Sequence, residues 1–167
     1  KMSDQFMYNE ETSKTKPMTL NNPYVFSDTY ESGGAGLIST ADDYILFLDA
    51  MCNGGLSREG YRLLSMESID EMRKDQLGRA SREDFDLMGK VGYSYGLGVR
   101  TMVDREVSGA RSPVGEFGWD GAAGAYGLID VENRLAIFYV QHVHNCGFVY
   151  STVHPTIRDL AYDMLGL

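Results

Sequence analysis

Apolar residues recur at helical spacing in three stretches of the chain and at strand spacing in three others. After Ser39-Thr40, residues Tyr44, Ile45, Phe47, Leu48 and Met51 form one stripe, and Asn53-Gly54-Gly55 closes it. Thr40 with Asp43 three residues later is a capping-box pattern, which serves the first unpaired backbone N–H groups. A second helix is predicted from Ser65 to about Lys74, burying Ile69 and Met72. The third lies at the C-terminal end. Pro155 suits its first turn, and Ile157, Leu160, Ala161, Met164 and Leu165 share a stripe.

From Gly92 the pattern switches to alternation, with Tyr93, Tyr95, Leu97 and Val99 on one face. Two more strands are predicted near 114 to 130 and 134 to 143, joined by a turn at Val131-Glu132-Asn133. In the last, Leu135, Ile137 and Tyr139 alternate with Ala136, Phe138 and Val140. Residues 76 to 91 are charged and poorly patterned, a surface excursion. Residues 1 to 32 show no period and read as extended and loop structure lying against something else. Helices, then about three antiparallel strands, then a helix to cover them make an α+β fold, a single domain over 1–167.

Length and composition bound this picture without changing it. A chain of 167 residues with 43% hydrophobic content buries a sizeable core. The formal charge of −9 is dispersed and opposes nucleic-acid binding, which depends on clustered Lys and Arg. No apolar run is long enough to span a membrane. No signal peptide opens the chain, and a start at Lys1 suits a processed or truncated product. Cys52 and Cys146 do not make a disulfide framework, so extracytoplasmic and cytoplasmic settings both stay open.

The chemistry concentrates in Gly115-Glu116-Phe117-Gly118-Trp119-Asp120-Gly121-Ala122-Ala123-Gly124-Ala125-Tyr126-Gly127-Leu128-Ile129-Asp130. Small residues in a strand let a ligand or another backbone approach closely. Together with Gly33-Gly34-Ala35-Gly36-Leu37-Ile38-Ser39-Thr40-Ala41-Asp42-Asp43-Tyr44, this stretch resembles the C-terminal part of the serine β-lactamase-like family. That family takes in class C β-lactamases, D-Ala-D-Ala peptidases and related esterases. The resemblance runs from about Tyr30 to the end and is specific in the two glycine-rich segments.

The resemblance implies that Trp119-Asp120-Gly121 occupies the Lys-Thr-Gly or His-x-Gly position, a substrate-facing strand. It implies that Ala122 donates its backbone N–H to an oxyanion hole. Tryptophan in place of lysine removes the cation that would meet a β-lactam carboxylate, and tilts the reading toward an esterase or peptidase. The family's Ser-x-x-Lys nucleophile and Tyr-x-Asn or Ser-x-Asn loop are missing: no Tyr or Ser is followed two residues later by Asn. Ser13-Lys14-Thr15-Lys16 matches in letters, but Pro17 disfavours helical geometry at Lys16.

The expected function is therefore the C-terminal part of a serine hydrolase acting on an ester, amide or lactam through an acyl-enzyme. The chain would supply one pocket wall and be inactive alone. Its partners would be the missing N-terminal half of the same domain and a small acyl substrate, with no cofactor. Free sheet edges predict a homodimer of the isolated chain.

Two other readings come from different chemistry. A non-catalytic, self-associating or partner-binding module needs only the free edge. Gly92-Tyr93-Ser94-Tyr95-Gly96 matches a nucleophile elbow, and Asp120 or Asp130 followed by His142, His144 or His154 gives an α/β-hydrolase order. Against it, the residues after Gly96 alternate like a strand. His142-Val143-His144-Asn145-Cys146 raises metal binding, but no fourth ligand is evident unless His154 folds back, and no zinc is expected. Gly33, Gly34 and Gly36 lack the spacing of a phosphate cradle and read as a tight turn.

Overall fold

The computed structural model describes residues 3–18, 29, 33–34 and 36–167. Its centre is a five-stranded antiparallel sheet in the order β3-β4-β5-β6-β7. The strands are β3 (Tyr93–Tyr95), β4 (Arg100–Met102), β5 (Phe117–Asp120), β6 (Tyr126–Asp130) and β7 (Leu135–Tyr139). The α+β class holds, but the sheet is wider than three strands. Each of the first two predicted strands is a hairpin. Tyr93 pairs with Met102 and Tyr95 with Arg100 across a turn at Gly96–Val99, while Trp119 pairs with Gly127 across Gly121–Ala125. The period of two survives a tight turn, so alternation alone does not reveal the fold-back. Gly98 at φ 80° and Gly124 at φ 89° mark the turns.

Two helices cover one sheet face. In α1 (Ala41–Cys52), the Thr40 side chain accepts from the Asp43 N–H at 3.1 Å, as the capping pattern predicted. In α2 (Met66–Met72), Ser65 caps in the same way at 3.2 Å. Leu48, Met51, Cys52 and Ile69 from these helices close on Phe117 and Ile129, with Phe138 beside them. The predicted excursion at 76 to 91 contains a surface helix, α3 (Arg79–Leu87), whose Phe85 packs on Tyr93 and Met102. A four-residue helix, α4 (Arg105–Ser108), follows β4.

The opposite face is covered by α5 (His154–Leu165), entered through a π-helical turn at Val149–Val153. The helix was legible, but its inward face was not. His154, Arg158 and Tyr162 are buried, whereas Leu160 and Leu165 are exposed and Met164 is 85% exposed. Carboxylates on the sheet supply the reason: they draw in the polar stripe at i, i+4 and i+8.

A smaller sheet has the order β2-β1-β8. Here β1 (Phe6–Asn9) and β2 (Lys14–Pro17) form a hairpin, and β1 runs parallel to β8 (Val143–His144). Ser13 sits in the hairpin turn at φ 51° and Lys16 on an exposed strand, so the two are not one helical turn apart. Of the stretch 1 to 32 read as extended and loop structure, residues 1–2, 19–28 and 30–32 lie outside the described residues, as does Ala35. Among the described residues, no helix is long and apolar enough to cross a membrane.

Candidate functional site

The β5–β6 turn gathers the predicted site residues. Gly121 N–H donates to the Ala125 carbonyl at 2.8 Å, and Gly124 N–H donates to the Gly121 carbonyl at 2.9 Å. A Cβ at Gly124 would overlap the Gln141 side chain, and one at Gly118 would overlap the Gly127 carbonyl. Gly118 therefore requires glycine on space as well as on backbone angle, while at Gly124 the backbone angle demands it and the Gln141 side chain would have to move. Ala122 is exposed at the tip, and its N–H has no acceptor among the described residues. Trp119 is 43% exposed, with its ring edge-on to Tyr95 at 5.4 Å, and Phe85 continues this aromatic row at 6.1 Å.

Asp120 is placed differently from a substrate-facing side chain. Its carboxylate is 7% exposed and faces two cations and an imidazole. Lys90 Nζ lies 2.5 Å away, His154 Nδ1 at 3.0 Å and Arg100 Nε at 3.8 Å. Burial pushes this carboxyl up, but the His154 hydrogen bond and the Arg100 and Lys90 charges outweigh it. The net effect holds Asp120 well below the usual carboxylate range. Lys90 is thereby ion-paired with Asp120.

Arg100 is the centre of the network and is 2% exposed. It donates to Glu116 Oε1 at 3.1 Å and to the Gly127 carbonyl at 3.2 Å, and its guanidinium lies 4.9 Å from the Tyr126 ring centre. Tyr93 and Ser112 hydroxyls donate to Glu116 Oε2 at 3.0 and 3.1 Å. Arg158 donates to Tyr93 Oη at 3.1 Å. Burial raises the Glu116 carboxyl against the pull of Arg100, and burial with the Glu116 charge pushes the Tyr93 phenol to about 12. At the far end the Tyr162 hydroxyl donates to Asp130 at 2.6 Å.

His154 ties this network to the turn. Its Nδ1 faces Asp120 and its Nε2 faces the Gly124 carbonyl, each at 3.0 Å. Both contacts are hydrogen bonds together only in the doubly protonated ring. The imidazole stacks on Tyr126 at 4.7 Å, and Tyr150 meets it edge-on at 5.3 Å. The Tyr150 hydroxyl reaches the Gly121 and Ala122 carbonyls, both at 2.9 Å. The sequence reading missed Arg100, Lys90 and Tyr150, and weighed His154 only as a metal ligand or triad member. The signal for the last was the polar stripe His154, Arg158, Tyr162.

The other candidates disperse. Ser94 is fully buried on β3 and donates to Asp75, and its strand turns back antiparallel rather than into a helix. That is not the geometry of an elbow. His144 Nε2 lies 2.9 Å from Gln5 Oε1, while His154 is committed to Asp120 and Gly124. Among the described residues no three His, Cys, Asp or Glu converge as metal ligands. Both cysteines are free.

A family model described as Beta-lactamase matches residues 3–145. The chain belongs to the beta-lactamase family. Two curated relatives from Mycobacterium tuberculosis, "Uncharacterized protein MT1414" and "Protein Rv1367c", are each 31% identical over 140 residues. The match covers 80% of this chain and 34% of each relative, so the chain spans about a third of their length. Among solved structures, EstCE1, a hydrolase with promiscuous acyltransferase activity, gives a TM-score of 0.71 at 17% identity. That match covers 95% of this chain and 43% of EstCE1. The LovD6 mutant of simvastatin synthase from Aspergillus terreus gives 0.74 at 19% identity, covering 96% and 42%. These likenesses show the serine beta-lactamase-like fold, and their coverage fits its C-terminal portion.

Proposed function

We propose that the chain forms one wall of an acyl-transfer pocket in a serine beta-lactamase-like hydrolase and gives the Ala122 N–H to its oxyanion hole. One observation carries this reading: an exposed backbone N–H without an acceptor, held at the tip of a glycine-rich turn next to Trp119. Such a donor stabilises the oxyanion of a tetrahedral intermediate without reorganising during the reaction. The absent nucleophile's own N–H would be the second donor. In this reading Trp119, backed by Tyr95, lines the acyl side, and Gly121 leaves room for the acyl group. Asp120 supports the turn from behind through His154. The aromatic row and the commitment of Lys90 to Asp120 favour an uncharged, apolar acyl group on an ester over a β-lactam carboxylate.

The partner in this reading is the remainder of the same domain, which carries the serine and lysine. Among the described residues the outer edge of β7 pairs with no strand, and it is the natural place for added strands. The same edge supports a second reading, in which the isolated chain pairs with its own copy.

Fluorophosphonate labelling tests the first reading. The full-length protein should be labelled at one serine outside these residues, and the chain alone should not be. Stoichiometric labelling of the chain alone, or none of the full-length protein, would reject it. Sedimentation of the chain at high concentration tests the second, which a monodisperse 18.6 kDa monomer would end.

A further inference from the structure

We infer that Tyr150 is a positioning residue that aims the Ala122 N–H; the inference rests on the oxyanion reading above. Peptide units are planar and trans, so a carbonyl and the N–H of the same unit point in opposite directions. Fixing the Gly121 carbonyl therefore fixes the direction of the Ala122 N–H. The Tyr150 hydroxyl sits 2.9 Å from that carbonyl and 2.9 Å from the Ala122 carbonyl. One phenolic proton is shared between the peptide units on either side of the Ala122 Cα. A single side chain thus fixes the plane of the unit that carries the N–H and the plane of the unit that follows it.

The phenol is itself held in place. Its ring meets His154 edge-on, and His154 is fastened to Asp120 before the turn and to the Gly124 carbonyl at its end. Burial raises the Tyr150 phenol above its ordinary value, which keeps the proton that the two carbonyls need. The residue projects from the π-helical turn at Val149–Val153, an irregularity that is frequent at functional sites. Gly121 and Ala122 offer no side chain of their own to stiffen the loop, so the clamp comes from a different element.

The experiment uses the full-length protein, p-nitrophenyl butyrate as substrate, and thermal unfolding alongside. Removing one oxyanion donor costs on the order of 10²–10³ in kcat, which sets the scale for Ala122→Pro. Tyr150→Phe keeps the ring and loses only the proton. It should lower kcat by about tenfold to a hundredfold, an upper share of that donor's effect, with KM within about twofold and little change in Tm. In the Ala122→Pro background, Tyr150→Phe should cost nothing more, because the N–H it aims is gone. If Ala122→Pro is crippled while Tyr150→Phe matches the parent, the inference fails and the oxyanion reading stands. If Ala122→Pro leaves kcat unchanged, the reading itself fails. A Tyr150→Phe loss that persists in the Ala122→Pro background, or that follows a fall in Tm, would make Tyr150 a structural staple and overturn the inference.

Discussion

The two faces of the sheet are held by different forces. Under α1 and α2, Leu48, Met51, Ile69, Phe117 and Ile129 form an apolar core whose stability comes from area removed from water. Under α5 the same strands present Asp120, Arg100 and Asp130, and the helix answers with His154, Arg158 and Tyr162. Apolar packing is tolerant of small changes in partner, whereas a buried charge must be matched by another or be strongly unfavourable. The site turn hangs from the demanding face. His154 ties that network to the turn through Asp120 and the Gly124 carbonyl.

The largest effect should come from unpairing that network. Arg100→Met leaves Glu116 and Asp120 buried without their central cation, and breaking a buried pair costs about 3–5 kcal/mol. Urea unfolding would read this. Adding Glu116→Gln should recover part of the loss, because complementarity rather than volume is at stake. Equal losses in the single and double variants would show that the two faces do not differ in kind. On the apolar face, Leu48→Ala should cost about 3 kcal/mol through lost contacts and a residual cavity, by the same amount at pH 4 and pH 7.

Acid sharpens the contrast. The folded state lowers the Asp120 carboxyl, so its stabilisation is present above the unfolded value near pH 4 and is lost as pH falls through the folded one. Glu116 has the opposite sign: its raised carboxyl penalises the folded state at neutral pH and relieves it on acidification. Asp120→Asn should be less stable than the parent at pH 7, with the gap narrowing below about pH 4. A gap independent of pH would remove Asp120 from the ion-pair network. The smallest effect is expected at the outer stripe of α5, where Met164→Lys should shift stability by no more than about 0.5 kcal/mol.

That stripe shows where the sequence was readable and where it was not. Apolar periodicity located α1, α2 and α5, and Thr40 and Ser65 marked two starts correctly. The β7 alternation also assigned Ala136 and Phe138 to one face and Leu135, Ile137 and Tyr139 to the other. Yet the same rule turned Leu160, Met164 and Leu165 inward, because it treats charged positions as solvated. It has no means of knowing that Glu116, Asp120 and Asp130 wait across the sheet. The strand count failed for a related reason, since glycines at 96, 98, 121 and 124 fit both a strand and its turn. At the site, the family pattern pointed to Trp119 and Ala122. It gave no hint that Tyr150 closes the turn from a different element.

The parallel pairing of β1 with β8 bears on the order in which the protein assembles. Gln5 and His144, joined across that pair, are 139 residues apart in sequence. Closing so long a loop loses chain entropy before any local contact compensates, and non-local pairing of this kind slows folding. The β5–β6 and β6–β7 hairpins need only short closures. The same β8 segment donates from Val143 to the Ala123 carbonyl beside the site turn. The turn can therefore form early as part of its hairpin, whereas the β1–β8 pairing that flanks Val143 is completed only when the distant N-terminal hairpin docks. Docking of the small sheet would trail behind the central hairpins during refolding, and a delay between the two signals would report that late pairing.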